Sequence, residues 1–159
     1  EGKIQIYLPD LKYLDSDAAG RYSGASDYPQ TAQAAIREMV RQTGPCAFDG
    51  DGLLTRGVVI RHLILPGQVS QAKAVMDWVA AEFGPGTVLF SLMSQYTPWG
   101  RSAEFPEIHR RLRAGEMRAA AEYMANLGLE GFTQERTSAQ REYTPPFDLT
   151  GVAGEGGAL

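Results

Sequence analysis

The sequence predicts a parallel α/β fold of about four strands with helices on the outside, half of an eight-stranded TIM-type barrel. Three observations carry this expectation. Strand-like runs alternate with helical stretches along the whole chain, which implies right-handed parallel crossovers. The run Gly57-Val58-Val59-Ile60-Arg61-His62-Leu63-Ile64-Leu65 is apolar at both parities before Pro66-Gly67 breaks it, the pattern of a strand buried on both faces. The first strand, Ile4 to Leu8, alternates Ile4, Ile6 and Leu8 and calls for a neighbour along its open edge. The organisation therefore hints at a truncated protein.

Each element has a local reason. A short helical stretch near Asp17 to Tyr22 follows the first strand. Asp27-Tyr28-Pro29 then opens a helix, with proline at an early position where its lack of an N–H costs nothing. Ala32, Ala35, Ile36, Met39 and Val40 form its apolar stripe, and Gly44-Pro45 ends it. Cys46–Phe48 and Leu53–Thr55 flank Asp49-Gly50-Asp51-Gly52, which reads as a hairpin turn; the loop lacks the later ligands of a calcium-binding EF-hand. After the Arg61 strand, Ser70 is placed to cap a helix bearing Ala72, Val75, Met76, Val79 and Phe83. Gly84-Pro85-Gly86 stops it. Thr87 to Met93 is the next strand, leading into the polar and aromatic loop Ser94-Gln95-Tyr96-Thr97-Pro98-Trp99-Gly100. Gly115 to Leu127 is helical, with Met117, Ala120, Ala121 and Met124 inward and Gly128 as its cap, and Gly131 to Gln134 forms a last short strand. Residues 1–136 are thus the folded body. Residues 137–159 form an extended tail, polar, then proline-rich, then glycine-rich, with Gly151 to Leu159 expected to be disordered.

Bulk composition excludes several classes of function. A net charge of −4 argues against broad nucleic-acid binding, which needs a basic surface. The basic stretch His109-Arg110-Arg111-Leu112-Arg113 reads as a solvated face. No window approaches the roughly 20 apolar residues of a membrane span, and Glu-Gly-Lys is not the start of a signal peptide, so no membrane partner is expected. The one cysteine, Cys46, fits a cytoplasmic protein and reads as a small buried apolar residue. His62 reads as a packed or hydrogen-bonded strand histidine and His109 as a surface one.

The candidate site follows from charge in the wrong place. Arg61 lies inside an apolar strand and requires a buried acid or an anionic ligand. Asp10 and Lys12 follow the first strand at its C-terminal end, the end at which ligands bind in barrels and open α/β sheets.

Three motifs occur in order on successive strand ends: Tyr7-Leu8-Pro9-Asp10-Leu11-Lys12, then Ile60-Arg61-His62-Leu63-Ile64-Leu65-Pro66-Gly67, then Leu92-Met93-Ser94-Gln95-Tyr96-Thr97-Pro98. Together they resemble the second half of a radical S-adenosylmethionine (SAM) enzyme, in particular the pyruvate formate-lyase activating enzyme group. Gly131-Phe132-Thr133-Gln134-Glu135-Arg136 and Pro145-Pro146-Phe147 resemble that group's C-terminus. The resemblance implies that Asp10 and Lys12 match an Asp-x-Lys reaching the SAM site, and that Arg61 matches an arginine contacting SAM. Tyr96, with Gln95 beside it, falls where glycyl-radical activating enzymes usually carry a histidine near SAM, a departure that bears on the protein substrate.

The resemblance also implies two cofactors for the intact enzyme, SAM and a 4Fe-4S cluster. The cluster reduces SAM by one electron to methionine and a 5′-deoxyadenosyl radical, which abstracts hydrogen from a substrate. The Cys-x-x-x-Cys-x-x-Cys that holds the cluster and the glycine-rich SAM-binding segment do not occur here. The chain accordingly reads as a C-terminal half whose expected partner is the N-terminal half, inert in isolation and self-associating through its first-strand edge. A non-catalytic α/β binding or regulatory module, with Arg61 paired to Asp10, stays open beside it. A phosphate-binding barrel half is disfavoured, because Gly84-Pro85-Gly86 follows a helix and cannot present amides at a helix N-terminus.

Overall fold

The computed structural model describes residues 2–134, so the tail expected over 137–159 lies outside the described residues. A parallel sheet with the strand order β1-β3-β4-β5 forms the centre: β1 Ile6–Tyr7, β3 Leu54–Leu63, β4 Leu89–Met93 and β5 Gly131–Gln134. A short β2, Ala47–Phe48, pairs antiparallel with the start of β3. Helices α1 (Ser16–Ser23) and α2 (Tyr28–Thr43) lie between β1 and β2, α3 (Val69–Glu82) between β3 and β4, and α4 (Ala114–Leu127) between β4 and β5. Neighbouring parallel strands follow one another in the chain and step in one direction. Right-handed crossovers then place every connecting helix on the same face.

The core agrees. Ile36 of α2, Val75, Met76 and Val79 of α3, and Ala120 and Met124 of α4 share one cluster with Val58, Ile60, Phe90 and Leu92. Burying each large aliphatic or aromatic side chain there contributes about 1.5–3 kcal/mol. Tyr7 faces the same way, its hydroxyl donating to Gln42 Oε1 at 2.6 Å. The opposite face of the sheet carries Ile6, Leu8 and Asp10, then Val59, Arg61 and Leu63, then Leu89, Ser91 and Met93, then Phe132. Ile6, Leu8 and Phe132 stay 37%, 56% and 46% exposed. The connecting helices lie on one face, yet the middle of β3 and β4 is buried at both parities, with Val59 and Ser91 of the second face buried like Val58, Ile60, Phe90 and Leu92 of the first, as the Arg61 run implied. The second face opens at the flanking strands, where Ile6, Leu8 and Phe132 stand, and is half-buried at Arg61 and Leu63.

Several boundaries differ from those read in the sequence. The regular part of the first strand shrinks to Ile6–Tyr7, although the parallel ladder continues: Gly57 N–H donates to Gln5 O, Arg61 N–H to Pro9 O and Leu11 N–H to Arg61 O. Leu53–Thr55 and the Arg61 run merge into β3, because Gly57 (φ +137°) keeps the strand continuous where Cys46 crosses it. A Cβ on Gly57 would sit 2.7 Å from Cys46 Sγ. Ser70 does not cap α3; Gln68 occupies that position, and Phe83 lies just beyond the helix. Ala35 is exposed rather than on the buried stripe of α2. Asp49 does close a turn, its Oδ1 accepting from the N–H groups of Asp51 and Leu53. Gly128, left-handed at φ 71°, ends α4 as expected. A 3-10 helix over Gly100–Glu104 was not foreseen.

Candidate functional site

The C-terminal end of the sheet is built on the join between β3 and the segment after β1. Asp10 pairs with Arg61 as an isolated parallel bridge, which puts both side chains on the open face. Arg61 Nε and Nη2 each lie 2.8 Å from Asp10 Oδ1. The side chains remain 42% and 38% exposed. An ion pair this open contributes about 0.2–1 kcal/mol and weakens with salt, so the fold does not depend on it. Arg61 Nη1 and Asp10 Oδ2 have no hydrogen-bond partner among the described residues, which leaves a donor and an acceptor for a ligand. Beside Arg61 in the ladder stands Ser91, buried to 1%, whose Oγ has no partner either. A buried hydroxyl left unbonded costs about 1–3 kcal/mol, so its partner is a feature to look for.

Lys12 lies apart from that pair. Its side chain is exposed and lines a pocket with Tyr13, Ala18, Tyr22, His62, Leu63, Leu65, Gln68 and Gln71, with room for one water-sized group, about 10 Å³. The Tyr13 and Tyr22 rings of its wall pack tilted against each other at 6.3 Å, and meet Tyr28 and Phe105 edge-on at 5.8 and 5.3 Å. Tyr96 is half-buried on this side: burial raises its phenol pKa, the Ser102 hydroxyl opposes this by hydrogen bonding, and nearby Tyr13 adds to the rise. Gln95 is half-buried in the same loop. The expected convergence of Asp10, Lys12, Arg61 and Tyr96 on one pocket therefore divides into an Asp10–Arg61 face and a Lys12–tyrosine pocket.

His62 is 3% exposed and stacks on Phe90 with centroids 6.4 Å apart. Its Nδ1 lies 2.7 Å from Leu11 O, so the ring donates Nδ1–H there, as read from the sequence. Burial lowers its pKa, against the opposing pull of that bond, and the ring is neutral at pH 7. His109 is exposed, as expected, with Nδ1 3.1 Å from Ser102 Oγ.

Two residues carry the geometry of this end without any signal in the sequence. Tyr28 Oη donates to Asp10 O at 2.7 Å and accepts from Lys12 N–H at 3.0 Å. Glu116 accepts Gly67 N–H at 2.7 Å and Arg113 N–H at 2.8 Å, and binds both Arg110 Nη atoms at 2.7 and 2.8 Å. Arg110 first, then the two backbone donors, hold its carboxyl at about 2 against the opposing effect of burial. The basic stretch at 109–113 is thus only partly a solvated face, since Arg110 is committed to Glu116.

Among the described residues no group of three or more His, Cys, Asp or Glu is placed to hold a metal ion. Nor is any helix among them long and apolar enough to cross a membrane. No known protein-family pattern matches the chain. It is 24% identical over 131 residues to an uncharacterized protein of Methanocaldococcus jannaschii; the match covers 82% of this chain. The chain spans about a third (34%) of that relative's length.

Proposed function

We propose that this chain is the C-terminal part of a radical SAM enzyme of the glycyl-radical-activating kind, folded as half of a TIM-type barrel, whose open sheet face helps to position SAM. The observation that carries the reading is the Asp10–Arg61–Ser91 row across neighbouring strands near their C-terminal ends. It offers a guanidinium donor and a carboxylate acceptor on a face that no described helix covers, with the buried, unpartnered hydroxyl of Ser91 next to Arg61 in the ladder. Those groups fit a zwitterionic ligand bearing a carboxylate, an ammonium and ribose hydroxyls. Arg61 would take the carboxylate and Asp10 an ammonium or hydroxyl; Lys12, Gln95 and Tyr96 would approach from the adjacent pocket and loop. When bound, SAM supplies hydrogen-abstraction chemistry, and this chain's residues supply orientation and charge.

The 4Fe-4S cluster does not fit this chain. Cys46 sits near the start of β3, its N–H bonded to Gly86 O, far along the strand from Arg61. Cluster ligands are therefore assigned to a separate N-terminal half, which is also the partner proposed for the apolar open face. The substrate is proposed to be a protein. A cytoplasmic setting is part of the same reading.

The second reading is a non-catalytic binding module, and the direct Asp10–Arg61 ion pair favours it. Calorimetric titration of SAM into the reconstituted full-length protein separates the two. Arg61→Ala removes a charge-assisted contact worth about 1.5–3 kcal/mol, and affinity should fall ten- to a hundredfold. Unchanged affinity in both Arg61→Ala and Lys12→Ala leaves the ion pair purely structural.

A further inference from the structure

We infer that His62 and Tyr28 are positioning residues: they clamp the two peptide groups that join Asp10, Leu11 and Lys12, and so fix Asp10 against Arg61 and Lys12 at its own pocket. This rests on the SAM-site reading of Asp10, Lys12 and Arg61.

The argument begins where the β-ladder ends. Arg61 N–H bonds to Pro9 O and Leu11 N–H bonds to Arg61 O, the last two backbone links between this segment and β3. Beyond Leu11 the chain leaves the ladder toward α1, so Leu11 O has no strand donor, while Asp10 O and Lys12 N–H face the open edge of the sheet. Polar backbone groups stripped of partners near a buried site carry a free-energy penalty. Two side chains take them over. The His62 ring donates Nδ1–H to Leu11 O at 2.7 Å. The Tyr28 hydroxyl donates to Asp10 O at 2.7 Å while accepting from Lys12 N–H at 3.0 Å. One hydroxyl thus bridges the two peptides that flank Leu11.

Both clamping residues stand on rigid elements. His62 follows Arg61 in β3 and is held by its stack on Phe90. Tyr28 is the first residue of α2, whose Ile36 is anchored in the core, and its ring meets Tyr13 edge-on at 5.8 Å. Leu11 itself is fully buried. Asp10 and Lys12 are therefore carried on a segment fixed from the sheet and from a helix, the arrangement that reduces the freedom lost when a ligand binds. A carbonyl can only accept, so the His62 tautomer is set to Nδ1–H. Protonation of Nε2 would leave that donor in place, and acidification alone does not release the clamp.

Backbone amide exchange and SAM affinity test this together. Tyr28→Phe keeps the ring packing and deletes both hydroxyl bonds; His62→Leu deletes the ring donor; His62→Asn returns a donor close to the Nδ1 position. In this chain, Tyr28→Phe should accelerate exchange at the Lys12 amide roughly tenfold, and His62→Leu should do so at neighbouring amides, with His62→Asn restoring most protection. In the full-length protein Tyr28→Phe should weaken SAM binding several-fold, with His62→Asn milder than His62→Leu. Unchanged exchange in Tyr28→Phe and His62→Leu overturns the clamp. Faster exchange with SAM affinity unchanged, while Arg61→Ala weakens it, overturns the positioning role and spares the SAM reading. A wild-type protein that binds no SAM overturns that reading, and the positioning role falls with it, while the exchange data still decide the clamp.

Discussion

Glu116→Gln is the perturbation whose size the structure lets us work out most directly. Glu116 ties the turn after β3 to the start of α4, through Gly67 N–H, Arg113 N–H and a two-pronged bond to Arg110. Its side chain is only 17% exposed and that of Arg110 31%. The carboxyl titrates at about 2 in the fold against an ordinary 4.5. At about 1.4 kcal/mol per unit this difference has a ceiling of about 3.5 kcal/mol, and residual solvent screening brings it to about 2–3 kcal/mol. The folded value is depressed, so the contribution is complete above 4.5 and disappears as pH falls toward 2. Urea unfolding of the wild type and Glu116→Gln from pH 7 to pH 2.5 reads this out. The variant should be less stable by about 2–3 kcal/mol at pH 7, and the two stability curves should converge as pH approaches 2. Glu38, Glu82 and Glu104, lowered by arginine partners, and Glu107, lowered first by its own backbone N–H and then by Arg21, titrate in both proteins and cancel in the difference. A gap that stays constant across the pH range would refute the assignment of the penalty to ionised Glu116.

The remaining expectations concern the sheet. His62 has a lowered pKa, so the unfolded chain binds more protons just below pH 6.5, and stability should fall with acidification there; His62→Asn should flatten that slope in urea melts. Gly57→Ala would drive a Cβ into Cys46 at a φ of +137° and should cost at least about 2 kcal/mol by the same assay. If the exposed Ile6 and Leu8 edge drives self-association, sedimentation should show concentration-dependent oligomers that Ile6→Lys abolishes.

Helices were the most legible part of the sequence. Ala72, Val75, Met76 and Val79 recur at helical spacing, and all four are buried. Their ends were less so: Ser70 is a good cap by chemistry, yet α3 starts at Val69 behind Gln68, whose N–H bonds to Leu65 O. The apolar β3 run revealed a strand buried at both parities along its middle, but not that the second face opens at the flanking strands, because an open apolar face and a buried one share a composition. The Arg61–Asp10 juxtaposition was legible as charge at strand ends. The separation of Lys12 into another pocket was not, since it depends on how the chain leaves the ladder after Leu11. Tyr28 and Glu116 gave no signal at all. Their partners are backbone groups brought close by tertiary folding, and no residue spacing encodes that.

The most direct test of the SAM reading is 5′-deoxyadenosine formation by the full-length protein, its coding sequence read upstream for an in-frame Cys-x-x-x-Cys-x-x-Cys and its cluster reconstituted under reducing, anaerobic conditions. The account predicts that the motif is present, that the wild type releases 5′-deoxyadenosine from SAM, and that Arg61→Ala lowers the yield at least tenfold at limiting SAM. Absence of the cysteine motif, or equal yields in wild type and Arg61→Ala, would contradict it.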